Sequence, residues 1–88
     1  MNRIPLDKGR MALATAGRDE GKLFVVIGIV DDEYVFISDG KTRKLVHPKL
    51  KKKKHLKAKP YIMDIPDDGN LTDAGIRRFL TDSSKKEG

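Results

Sequence analysis

The sequence predicts a mainly β fold: a small β-barrel of about five short strands, then a C-terminal extension with one short α-helix. Three observations predict it. The apolar runs Met11-Ala12-Leu13-Ala14-Thr15, Leu23 to Val30 and Tyr34-Val35-Phe36-Ile37 are short and rich in β-branched and aromatic residues, which suit a pleated, half-buried surface. Two polar joints, Ala16 to Lys22 and Asp31-Asp32-Glu33, separate them, which makes a three-strand meander holding most of the core. The 88 residues allow one small domain and one modest core.

Residues 1–8 read as an N-terminal arm, in which Pro5 pushes Ile4 toward an extended backbone. The barrel is expected over residues 9–59. In its first strand the larger side chains, Met11 and Leu13, are expected to face the core and Ala12 and Ala14 the outside, because side chains alternate. Gly17 and Gly21 bracket a sharp turn that presents Arg18, Lys22 and backbone N–H groups. Those donors suit a phosphate; a plain solvated hairpin turn needs nothing more.

Leu23 to Val30 is apolar on both faces, so it reads as a strand covered on both sides, with a bulge or corner at Gly28. Asp39-Gly40 signals another turn. A fourth strand is expected from Thr42 to Val46, ended by Pro48, and a fifth near Lys54–Ala58 that buries Leu56. Residues 60–80 form the extension. There Asp67-Asp68-Gly69-Asn70 reads as a linker. Leu71 to Leu80 reads as a short helix capped by Thr72, with Ile76, Phe79 and Leu80 on one face. About ten residues make no stable helix alone, so it must dock. Residues 81–88 are expected to be a disordered tail.

Charge is unevenly placed. Residues 41–59 carry ten Lys or Arg and no acid, whereas the flanking segments are each mildly acidic. The overall charge of +6 therefore comes from one concentrated positive strip, the footprint of a polyanionic partner. Like charges packed this densely repel, and phosphates relieve that repulsion while counterions are released. The bland alternative is a solvated or flexible polybasic stretch.

Other classes of function find little support in the residues. There is no cysteine, and the only histidines, His47 and His55, have no partners at metal-ligand or catalytic spacing. No phosphate-cradling or dinucleotide glycine pattern is present. The expectation is a protein that is not an enzyme, with no catalytic residue, no cofactor, no metal and no small-molecule substrate. No apolar run approaches the ~20 residues of a membrane span, and the first residues lack a secretory apolar core. A cytoplasmic location, no membrane partner and a monomeric free state are expected.

The segment Gly9–Val30, with its Gly17-Arg18-Asp19-Glu20-Gly21-Lys22 turn, resembles a KOW motif, which occurs in ribosomal proteins and transcription elongation factors. The larger pattern from Gly9 to Ala58 adds Val26-Ile27-Gly28-Ile29-Val30, Val35-Phe36-Ile37-Ser38-Asp39-Gly40, Arg43-Lys44-Leu45 and Lys54-His55-Leu56. It is similar to small bacterial KOW-domain RNA-binding proteins, which in turn resemble a group of archaeal and eukaryotic large-subunit ribosomal proteins. The resemblance implies an SH3-like barrel, RNA binding and a link to the ribosome. By position, Gly17 and Gly21 would shape the KOW turn, and Arg18 and Lys22 would approach RNA.

The expected RNA-binding residues are Arg18 and Lys22 in that turn together with Lys41, Arg43, Lys44, His47, Lys49, Lys51, Lys52, Lys53, Lys54, His55 and Lys57. Lysines suit backbone and shape recognition of folded RNA, ribosomal RNA in particular, better than sequence readout. Tyr34 and Phe36 would stack bases only if they faced outward, and as strand residues they are expected in the core. The alternative is a protein-interaction module of the transcription or translation machinery, using the barrel edge and the extension.

Overall fold

A computed structural model describes residues 4–66 and 69–87, with side chains described through residue 83. The expectations for residues 1–3, 67–68 and 88 lie outside the described residues. The chain runs β1 (Arg10–Ala14), β2 (Leu23–Ile29), β3 (Tyr34–Ser38), β4 (Lys49–Lys52), a 3-10 turn (Lys53–His55), β5 (Leu56–Ile62) and α1 (Asp73–Glu87). The strands form one antiparallel sheet of five, ordered β4-β3-β2-β1-β5. The fold is mainly β as expected; the sheet is not closed, and β4 and β5 are its two edges.

Two layers of core form because the central strands are apolar on both faces. One face carries Ala12, Ala14, Phe24, Val26, Val35, Ile37 and Leu56, with Leu6 of the arm packed on them. The other carries Met11 and Val25 against Ile76 and Leu80 of α1. Leu23, Ile27, Leu45, Tyr61 and Phe79 fill in around that second cluster. Register shifts between Val26 and Gly28 and between Arg10 and Ala12 mark irregularities that bend the strands. The first is the bulge expected at Gly28.

Expectations about the first strand, the fourth and fifth strands and the helix need correction. Ala12 and Ala14 do not face outward: they are buried in the first cluster, while Met11 is buried under the helix, so β1 is covered on both sides. Small side chains there let Phe24 and Leu56 approach from the neighbouring strands, at register positions Ala12↔Phe24 and Ala14↔Leu56.

Thr42 to Val46 is not a strand. Asp39 Oδ1 accepts the N–H groups of Lys41 (2.9 Å) and Arg43 (2.8 Å), and Thr42 Oγ1 donates to Asp39 Oδ2 (2.7 Å). Ser38 Oγ donates to the Arg43 carbonyl (2.6 Å). These local bonds compete with a sheet ladder and hold a compact loop instead. The fourth strand follows Pro48, and it is the lysine run itself.

The fifth strand starts at Leu56 rather than Lys54, because Lys53–His55 form the 3-10 turn, and beyond the expected boundary after residue 59 it continues through Pro60 to Ile62, which pairs with Arg10. Proline is tolerated there because β5 is an edge.

The helix also outruns its expected end. Thr72 caps it, accepting the Gly75 N–H on Oγ1 at 3.0 Å, and it continues to Glu87, through residues 81–87 that were expected to be disordered. Buried Ser83 extends the docked stripe of Ile76 and Leu80 by one turn, so packing supports what the sequence beyond residue 80 does not advertise.

Candidate nucleic-acid interface

Positive backbone angles at Gly17 (φ 84°) and Gly21 (φ 87°) close the β1–β2 turn. The turn is internally bonded: Glu20 N–H donates to Gly17 O, Gly21 N–H to Ala14 O and Lys22 N–H to Asp19 O. Those three N–H groups are therefore engaged, while the side chains of Arg18 and Lys22 are exposed. The expectation that the turn presents free backbone N–H groups is corrected for Glu20, Gly21 and Lys22.

Asp19, only 4% exposed, organises the surroundings. Its Oδ2 lies 3.2 Å from Arg43 Nη2 of the β3–β4 loop and its Oδ1 lies 3.9 Å from Lys22 Nζ. This latch holds the glycine-bracketed turn against the basic loop. A second tie comes from β4. Lys51 stands opposite Val35 in the ladder and shares its inward face, and its Nζ donates to Ala16 O at 3.0 Å. A third joins Thr15 N–H to His55 O at 2.9 Å, so the chain re-enters the sheet beside the turn.

Arg43 and Lys51 are thus corrections to the expected RNA-facing set. Lys51 is 9% exposed and committed to a carbonyl. Arg43 is half-buried on Asp19, with its Nε buried and unpartnered among the described residues. Both position the turn. Arg18, Lys22, Lys41, Lys44, His47, Lys54 and Lys57 are exposed, and Lys49, Lys52, Lys53 and His55 are half-buried. Lys53 N–H donates to Glu33 O at 2.7 Å, which sets the 3-10 turn beside the acidic β2–β3 turn. There Asp32 and Glu33 line one open hollow with Lys52, Lys53 and Lys54 and offset part of their charge. The cations therefore fall into two groups. One lies around the latch, and the other runs along the 3-10 turn to Lys57.

Several residues that hold this site carry no basic side chain or lie in the extension. Asp73 Oδ1 accepts the Leu45 N–H (2.8 Å) and Arg77 Nη1 donates to Gly40 O (2.6 Å), so the start of α1 braces the loop bearing Lys41 and Lys44. In the sequence Asp73 reads only as a complement to the positive helix end; nothing there links it to Leu45. Burial pushes the Asp39 carboxyl up, but the hydrogen bonds from Thr42, Arg43 and Lys41 outweigh this and hold it below the ordinary 3.8.

Among the described residues no group of three His, Cys, Asp or Glu is placed to hold a metal ion, and no helix is long and apolar enough to cross a membrane. No family model matches the chain.

Proposed function

We propose that this chain is a non-catalytic RNA-binding module, a KOW-type SH3-like barrel that takes folded RNA by electrostatics, with ribosomal RNA the target class. The strand order β4-β3-β2-β1-β5, with a 3-10 turn between the two edge strands, supports the barrel reading. So do the links from Thr15 to His55 and from Lys51 to Ala16, which tie the two edges together through the β1–β2 turn.

The observation that carries the function is the latch. Arg18 and Lys22 ride on a turn held by Asp19 and Arg43 against the loop that bears Lys41 and Lys44. Cations fixed in place lose less freedom on meeting phosphates than cations on a free tail. If about five of them neutralise phosphates, log affinity falls against log salt with a slope of roughly −3.5 to −4.5.

The test is a salt titration of the full chain with a structured ribosomal RNA fragment. The expected result is a slope in that range that shrinks by roughly 2 to 3 when Lys53, Lys54 and Lys57 become Ala. Affinity indifferent to ionic strength would overturn the reading. Sedimentation of lysate through sucrose tests the ribosomal part: the protein is expected with large subunits and to leave them at high salt.

A further inference from the structure

Neither Phe36 of β3 nor Leu50 of β4 belongs to the cluster that α1 forms with Met11 and Val25. Val35 and Ile37 are fully buried in the first core cluster, so Tyr34 and Phe36 point the other way. This overturns the expectation that both aromatics are core. Phe36 is 38% exposed, and Leu50, directly opposite it on β4, is 49% exposed. Next along the same two strands, Lys52 stands opposite Tyr34 and its Nζ lies 5.8 Å from the Tyr34 ring centroid.

On the other side of Phe36 the register partner is Gly28. Its backbone is outside the left-handed region that demands glycine, and a Cβ there would sit 3.8 Å from Phe36 Cδ2, an ordinary contact. A side chain would fit, and a strand favours one. What glycine does at this place is leave the flank of the Phe36 ring bare.

We infer that Phe36, flanked by Gly28 and Leu50, is a stacking platform for an unpaired RNA base, with Lys52 beside it for the adjoining phosphate. This deepens the proposed function and rests on it: the RNA class becomes folded RNA with an unpaired base next to a helical part. The occupant follows from the surroundings. On β4 this outward face passes from Leu50 to Lys52, and the chain then enters the cationic 3-10 turn, so the face adjoins the proposed phosphate-binding residues. A nucleotide offers a flat π face and an anion within one residue's reach, which matches an aromatic–lysine pair.

The test uses the full chain with two RNAs of equal phosphate count, a stem–loop with an unpaired loop and a blunt duplex. The parent is expected to prefer the stem–loop. Phe36→Leu and Gly28→Val are expected to weaken stem–loop binding about 5- to 50-fold, leaving duplex binding and the salt slope unchanged. A 5-iodouridine in the loop is expected to photocrosslink to Phe36 or Tyr34. This readout uses only the parent and does not depend on how the variants fold.

Equal affinity of the parent for both RNAs with a normal salt slope overturns the platform and spares the electrostatic reading. So does a crosslink confined to the lysine-bearing loops. An apolar peptide as the true occupant of this face would show itself the same way, by RNA binding that ignores Phe36→Leu. Failure of the parent to bind either RNA overturns both.

Discussion

The Asp19 carboxylate meets Arg43 through one oxygen and Lys22 through the other. It is buried between two cations that belong to different loops, 24 residues apart in the case of Arg43. Replacing it with Ala leaves the half-buried Arg43 guanidinium facing an emptied site, and we expect a loss of about 1–3 kcal/mol in urea unfolding. Asp39 acts more locally and predicts a pH dependence. Its folded carboxyl is held below its ordinary value, so its contribution is complete above about pH 4 and is lost as pH falls through the folded value. The stability gap between the parent and Asp39→Asn, read from urea melts, should be level from about pH 6 to about pH 5 and shrink as pH falls below about pH 4.

At this scale the sequence was partly readable. Gly17 and Gly21 announce their turn, and Leu56 stands out as the inward residue of a charged run. Which lysine turns inward was not readable. The strand there starts after Pro48 rather than at Thr42, and in a run of identical residues only the register separates Lys51 from its neighbours.

Elements hold one another through the β3–β4 loop. Gly40 (φ 72°) packs so closely on the first turn of α1 that a Cβ there would collide with the Asp73 carbonyl and crowd the Arg77 side chain. Gly40→Ala is expected to destabilise the fold by about 1–3 kcal/mol and to reduce helical circular dichroism first, because α1 depends on docking. Preserved helicity with an unchanged melting curve would contradict this.

The helix itself was legible at its start, where Thr72 and the spacing of Ile76, Phe79 and Leu80 mark a cap and a face. Its second half was not: Thr81-Asp82-Ser83-Ser84-Lys85-Lys86-Glu87 carries no apolar repeat, and among the described side chains it is buried Ser83 that carries the docked face on. The loop after Ser38 has the look of a strand in sequence for the opposite reason. Its apolar Leu45 and Val46 suggested pairing, whereas Asp39 and Ser38 had already claimed the local backbone, and Val46 ends up exposed.

For the molecule as a whole, the useful distinction is between cations that build the scaffold and cations that face outward. Lys51 belongs to the first kind and Lys54 to the second. Lys51→Met should leave the slope of RNA affinity against salt unchanged while lowering stability. Lys54→Ala should take roughly 0.7–0.9 from the slope at little cost to stability. Paired salt titrations and urea melts on the two variants decide it; a slope that drops for Lys51→Met would mean that its ammonium is reached by phosphate after all. The mainly β architecture was legible because short apolar runs between turns have few other solutions. The two-sided burial of β1 was not, since it depends on a helix some sixty residues away whose docking no local pattern records.

β4 presents lysines along one rim of the sheet, and β5 carries Lys57, Lys59 and Pro60 along the other. Both are defended against a second copy, one by like charge and the other by charge and a missing N–H. A polyanion that blankets the lysines disarms the electrostatic part of that defence. Solutions of the protein titrated with RNA should therefore turn cloudy near charge equivalence. They should clear again when either component is in excess or when salt is added.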